Sequence, residues 1–473
     1  MISYHGKHIK LTRHNMWSYN DFSNAINFPT EFSGIAIDSR NVQSGNIFIG
    51  IKGPNHDGGV FSRKAIENGA ILCITHFIPK DSEEFSEKFL IVKNTYETLL
   101  SLAKYNREKK YINTTFIGVT GSVGKTTTKE MLNFVLPNSH ANKGNLNNEF
   151  GLPLSLANLT KCDYGIFEMG MSARGEISYL SNILKPNIGI ITSVAPAHME
   201  FFNNIDEIAA AKAEILYGMN NGYLIVNLDI PGIHTILNSV KPHIKVIGYS
   251  LHDITYNIFG KIKIKNIEIE SLHTIVTIEY DVKNGKLGEL DYIIGGVGHD
   301  LIMNSLAVLA TLIATHQDLN YMNKLKDFSS LNGRGKVKTI DNLQIQLINE
   351  AYNANPTSLA FALNRLNQLS QHSNYKRKIA IIGDMLELGQ DEIEMHKAML
   401  EHIMQNDIDK VFCVGQRMKH LFDILNVNKQ GLWCETSQEM MKHIKNHLQP
   451  FDMVMVKGSN SMNMMSICNM LEE

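Results

Sequence analysis

The chain has 473 residues, 44% of them apolar, and 45 Lys+Arg nearly cancel 47 Asp+Glu to leave a formal net charge of −2. That length exceeds what one hydrophobic core comfortably serves and implies about three domains. The balanced charge excludes the strongly basic surface of a general nucleic-acid binder.

In chain order, Met1–Lys10 lacks the apolar core and cleavage pattern of a secretory signal, and no run approaches the roughly 18 apolar residues of a membrane span. A cytoplasmic protein is expected. To residue 110, short strands are predicted at Asn46–Ile51 and Ala70–Thr75, a loop at Lys52–Gly59, and a helix at Tyr96–Lys109. Thr115–Thr120 then reads as a strand, followed by a glycine-rich loop and a helix over Thr126–Leu136. Further strands are predicted at Tyr164–Phe167, Ile188–Val194 and Tyr223–Asn227, with a helix at Ile205–Met219. Such alternation predicts a largely parallel sheet with its chemistry at the strands' carboxyl ends. Residues 244–295 differ. Lys261–Glu270 and Thr274–Val282 alternate polar and apolar residues, and Asn284-Gly285 offers a tight hairpin turn, so an antiparallel excursion is expected. A helix follows at Leu301–His316, then a linker at Asn320–Arg334. Strands at Leu343–Ile348, Lys378–Gly383, Val411–Gly415 and Asp452–Lys457, with helices at Thr357–Ser370 and Glu392–Gln405, make a second α/β domain. The cysteines, at 73, 162, 413, 434 and 468, are widely spaced with no CxxC pair, which points to buried thiols rather than disulfides or zinc ligands.

The strongest chemical signal is Gly118-Val119-Thr120-Gly121-Ser122-Val123-Gly124-Lys125-Thr126. A glycine loop between strand and helix presents successive backbone N–H groups to phosphate oxygens, with the helix N-terminus behind them. Lys125 is placed to reach the β/γ-phosphates, and the Thr126 hydroxyl to ligate Mg²⁺. Val119 breaks the strict P-loop pattern, and the glycines fall instead at 118, 121 and 124. Glu168 closes a strand where a carboxylate could face this loop, and His198 follows another strand. Read alone, His198 is an ordinary loop histidine, and Lys212, within Ala209–Glu214, is a helix-surface lysine.

These segments together resemble the Mur ligase family over nearly the whole chain. Asp38-Ser39-Arg40 and Gly53–Gly58 resemble its UDP-substrate domain, Gly118–Lys129 its ATP loop, and Asn142–Pro153 its central substrate loop. Glu168-Met169-Gly170 and Ala197-His198 resemble its metal-site motifs. Three more segments resemble the branch that adds D-alanyl-D-alanine: Ala351–Pro356, Gly383–Gly389 and Val456–Met462.

The resemblance implies an α/β fold of three domains. Residues 1–110 would bind the UDP-substrate. Residues 111–325 would form a central P-loop parallel-sheet domain with an antiparallel β excursion, binding ATP. Residues 326–473 would form a Rossmann-like α/β domain that binds the incoming dipeptide and closes over ATP about a hinge near Asn320–Arg334. It implies ATP-dependent joining of D-alanyl-D-alanine to a UDP-N-acetylmuramoyl-tripeptide, with ATP and Mg²⁺ as cofactors and a monomer as the working unit. By the same resemblance Lys125, His198, Lys212 and Arg334 are catalytic. Gly121, Gly124, Lys125, Thr126, Thr127, His299, Asn304, Arg334 and Glu350 hold the nucleotide. Ser39, Arg40, Asn145, Asn148, Asn353 and Asn355 hold substrate. Thr126, Glu168, His198 and a carbamylated Lys212 hold metal. The chain departs from the family at Asp300, usually Asn, and at Asn349-Glu350-Ala351, usually two aspartates and a serine. The alternatives are a sister Mur-type or folylpolyglutamate-type ligase, against which residues 351–356 argue, and a non-catalytic nucleotide-binding protein, against which Lys125, Thr126, Glu168, His198 and Lys212 argue.

Overall fold

The computed structural model describes residues 32–53, 56–196, 200–283, 286–375 and 377–473. They group into two compact units, one of residues up to 116 with 138–167 and 182–185, the other of the remainder.

The first unit is built on four short parallel strands, Gly34–Ala36, Asn46–Ile49, Leu72–Thr75 and Phe89–Ile91, in that order. Ile35, Ile47, Ile49, Leu72, Ile74 and Leu90 bury one core with Leu99 and Leu102 of the helix Thr95–Tyr105. Asn94 caps that helix, its side-chain oxygen accepting from the N–H groups of Tyr96 and Glu97. At the sheet edge the Asn158 amide accepts from Ile35 N–H at 2.7 Å and donates to Ile35 C=O at 2.9 Å, satisfying strand groups as another strand would.

In the second unit, Thr115–Thr120 pairs in parallel with Ile188–Ile191, which pairs with Gly222–Asn227, then Ile244–Ser250, then Gly260–Glu270. Only the last two pairings, to His273–Val282 and Lys286–Gly295, are antiparallel. The excursion therefore begins later than expected: Ile244–Ser250 is buried at six of seven positions and continues the parallel sheet. The expected turn at Asn284-Gly285 lies outside the described residues.

The expected linker is also corrected. Leu319–Asp327 forms 3₁₀ turns with Met322 and Leu325 buried, Phe328 meets Phe134 edge-on, and Lys324 donates to Val135 C=O at 2.8 Å. In the segment that follows, Gly333 and Gly335 take φ of +79° and +92°.

The last sheet runs Lys336–Ile340, Ile345–Glu350, Asp452–Lys457, Arg377–Gly383, Lys410–Val414 and Gln430–Cys434. Its first pair is antiparallel and the rest are parallel. The final strand of the chain is thus inserted between two earlier ones. That reversal of order is where α/β sheets open a crevice at the carboxyl ends of their strands.

Candidate functional site

The phosphate loop is held by the end of the neighbouring strand. Thr192 Oγ1 and Ser193 Oγ donate to Val123 C=O at 2.6 and 2.8 Å, and Ser193 Oγ accepts from Val123 N–H at 2.7 Å. Gly121 has φ +150°, and a Cβ there would run into Thr192 Oγ1. Gly124 has φ +88° and precedes the helix Lys125–Val135, leaving that helix start free of any side-chain cap. Lys125 folds back to Gly121 C=O at 2.7 Å. Burial lowers its pKa; the Arg334 charge acts in the same direction and Glu168 opposes it. Thr126 Oγ1 donates to Glu168 Oε2 at 2.6 Å, both residues being buried, and Thr127 is buried beside them. Two adjoining oxygen donors beside a phosphate loop suit a hard cation that takes few protein ligands, as Mg²⁺ does.

Beside the loop lies a cavity of about 250 Å³ lined by Gly124, Asp229, His299, Met303, Asn304 and Phe361 among others. His299 opens the helix His299–Ala314 and lies 5.4 Å from the Phe361 ring; burial lowers its pKa and keeps it neutral. Asn304 Oδ1 accepts from Thr128 Oγ1 at 3.1 Å, while its Nδ2 is buried without a partner. An orphaned donor in the wall of an apolar cavity next to a phosphate loop fits a heterocyclic base with exposed acceptors.

Lys212 is a buried residue of the helix Ile205–Ala213, not the surface lysine it resembles in isolation. Burial sets its pKa well below the usual lysine value, and Lys125 adds repulsion. Glu214 and Glu176 pull the other way, yet both are engaged elsewhere. Glu214 accepts from Gly175 and Ser178 N–H, and Glu176 from Ser172 N–H at 2.7 Å. The neutral amine is therefore favoured. His198 lies outside the described residues.

The ends of three strands gather the segments that single out the dipeptide-adding branch. Lys457 Nζ donates to Asn353 C=O at 2.9 Å, and Asn353 Oδ1 accepts from Asn460 N–H at 3.4 Å. Leu386 N–H donates to Ser459 Oγ at 2.9 Å, and Ser459 N–H to Asp384 C=O at 3.0 Å. Asn355 caps the helix Pro356–Gln371 through a reciprocal pair of bonds with Ser358, so its side chain is occupied in structure.

Glu350 sits in a buried cluster of charges. Arg365 donates to Glu350, to Asp300 and, at 2.8 Å, to Val297 C=O, and Lys457 lies 3.6 Å from Glu350. Burial, reinforced by Arg365, lowers the Lys457 pKa to about 7. Arg334 lies over the Tyr352 ring, 3.9 Å from its centroid. Phe361 of the third region lines the cavity beside the phosphate loop, and Arg365 reaches Asp300 in its wall.

In the first unit, Ser39 is buried in a 3₁₀ turn and Arg40 is exposed, paired to Asp38 at 2.7 Å. Asn148 accepts from Gly151 N–H at 2.8 Å just before the helix Gly151–Ala157, while Asn145 is exposed.

Comparison with known proteins matches three family models: "Mur ligase family, catalytic domain" over residues 31–107, "Mur ligase middle domain" over 119–312, and "Mur ligase, glutamate ligase domain" over 333–460. A relative from Rickettsia prowazekii named UDP-N-acetylmuramoyl-tripeptide–D-alanyl-D-alanine ligase is 32% identical, covering 94% of this chain and 95% of its own. The chain belongs to the Mur ligase family. A Bacillus subtilis protein of the same name is 31% identical over 94% of each chain. A crystal structure of MurF from Acinetobacter baumannii superimposes with a TM-score of 0.79 at 26% identity, covering 94% of this chain and 95% of that one.

As a Mur ligase, the chain gathers Lys125, Thr126, Glu168, Arg334 and Lys212 into one electrostatic neighbourhood, with His299 and Asn304 at the cavity beside it. Ser39, Arg40, Asn145 and Asn148 belong to the other unit. Sequence reasoning missed Ser193 and Arg365. Ser193 lay inside a predicted strand, and Arg365 is a single polar residue on an amphipathic helix, where no local pattern distinguishes it from solvent-facing ones.

Proposed function

We propose that this chain joins D-alanyl-D-alanine to a UDP-N-acetylmuramoyl-tripeptide in the cytoplasm, converting ATP to ADP and phosphate and forming the pentapeptide precursor of peptidoglycan. The observation that carries this reading is the convergence of Asn353, Asp384–Leu386 and Lys457–Asn460 at adjacent strand ends, in a chain that also holds a built phosphate loop. The names of the relatives support it.

A carboxylate is a poor electrophile. Transfer of the ATP γ-phosphoryl group to the tripeptide carboxylate gives an acyl phosphate and ADP. The dipeptide amine attacks its carbonyl, a tetrahedral intermediate forms, and phosphate leaves with the C–O electron pair as the amine gives up its proton. Lys125 and the loop amides stabilise charge spread over the transferring group. Asn304 and His299 would hold the base in their cavity. Bound Mg²⁺ would neutralise phosphate charge. Thr126 and Glu168 are its proposed ligands, with His198 and a carbamylated Lys212 proposed for a second ion. Arg334 and Glu350 are assigned to the nucleotide side of the site, Ser39, Arg40, Asn145 and Asn148 to the UDP-tripeptide, and Asn353 to the dipeptide.

The test is phosphate release measured with ATP and each substrate alone or together. Release that requires both supports the reading. Nucleotide binding without dual-substrate turnover would replace it with a non-catalytic role.

A further inference from the structure

His396 lies on the helix Glu392–Gln405 and is completely buried. Its Nε2 accepts the N–H of Met385 at 3.0 Å, and its Nδ1 meets the Glu392 carbonyl. The two contacts fix the tautomer: Nε2 must be bare to accept, so Nδ1 carries the proton and donates to Glu392. Met385 begins the turn after the strand Arg377–Gly383. Its neighbour Leu386 bonds to Ser459, and Glu387 takes φ +63°, a conformation a non-glycine residue holds only when its surroundings fix it.

We propose that His396 is a positioning residue for the incoming dipeptide: its unprotonated Nε2 pins the 385–389 turn in the shape that receives D-alanyl-D-alanine. The inference rests on the proposed ligase reading. Without the imidazole, Met385 N–H is a buried donor with no acceptor, and the turn relaxes to find one. Protonation does the same more sharply, because Nε2–H would then face N–H. The charged groups around the ring are Asp384 and Glu392, which favour the imidazolium, and Arg417, which opposes it; burial outweighs them and holds the ring neutral.

The test compares wild type, His396→Gln and His396→Leu in steady-state phosphate release. Glutamine keeps a carbonyl acceptor near the Nε2 position, and leucine keeps only bulk. His396→Leu should raise KM for D-alanyl-D-alanine about tenfold or more, with KM for ATP and for the UDP-tripeptide changed less than twofold, and His396→Gln should restore most of the loss. If His396→Leu does not fold, His396→Asn, whose shorter side chain leaves the Met385 N–H without its acceptor, takes its place. A leucine or asparagine variant with unchanged dipeptide KM, or a glutamine variant that restores none of the loss, overturns the inference while leaving the ligase reading intact. Wild-type protein that releases no phosphate with both substrates overturns both.

Discussion

The Arg365 guanidinium is bonded at once to Glu350 and Asp300, two acids that lie 15 and 65 residues from it in the chain. It is buried, and its Nε donates to Val297 C=O, so the cation is surrounded by acceptors. Gly335 lies against this pair, where a Cβ would collide with the guanidinium. The longer Glu350 thus has a partner of its own, and the same guanidinium reaches Asp300.

Stability of the cluster should be strongly non-additive. Glu350→Gln strips the carboxylate from the buried Arg365 guanidinium and should cost about 3–5 kcal/mol of unfolding free energy, with turnover falling in parallel. Arg365→Met should cost as much. The triple variant Arg365→Met, Glu350→Gln, Asp300→Asn should lie closer to wild type than the sum of its parts. Denaturant unfolding of the set decides it, and additive losses would show that the charges act separately. Asn349→Asp should also destabilise, by about 1–3 kcal/mol. Asn349 Nδ2 donates to Asn332 Oδ1 at 2.8 Å, and a carboxylate has nothing to donate.

Lys125→Ala should lower turnover on the order of 10²-fold or more with little change in folding, since the lost charge faces transferring phosphates. Steady-state phosphate release and a thermal melt on the same preparation check both halves. A folded variant near wild-type rate would remove this loop as the ATP site.

Asn355 separates a structural from a binding role. Asn355→Ala should cost about 1 kcal/mol by removing the helix cap, and Asn355→Asp should retain both cap and turnover. An aspartate variant of normal stability whose dipeptide KM is raised would instead show that the amide binds substrate.

What could be read in the sequence was what short-range pattern encodes. The strand Thr115–Thr120 and the helix Glu392–Gln405 match their predicted limits because apolar period and glycine spacing are local. Gly34–Ala36 and Phe89–Ile91 went unread because three residues carry no period. Ile244–Ser250 was assigned to an antiparallel region because neighbour direction is a property of the fold. The site followed the same division. The phosphate loop is contiguous and was legible. His396 meets a backbone N–H eleven residues earlier and Arg365 meets acids 15 and 65 residues away, pairings no motif contains.

Lys212 offers the sharpest prediction because its environment excludes the bland reading. An ammonium buried where the two carboxylates that favour it are also committed to backbone N–H groups is costly, and burial lowers the group's pKa. A neutral lysine amine is a nucleophile. With CO₂ it forms an N–C bond and releases a proton, leaving a carbamate whose oxygens can take a hard cation. Carbamate and ammonium draw on the same amine, so the balance depends on pH. Because the folded-state pKa is lowered, the amine protonates only as pH falls through that lowered value. Between the lowered value and the ordinary lysine range the unfolded chain binds the extra proton, so the unmodified protein should gain stability as pH rises through that window. Lys212→Ala should be nearly inactive yet folded, and a short carboxylic acid in solution should partly restore its turnover by supplying the missing oxygens. Bicarbonate depletion should lower wild-type activity reversibly and leave the rescued alanine variant unaffected. An alanine variant with full turnover, or rescue by a primary amine in place of the acid, would mean that Lys212 acts through its nitrogen or not at all.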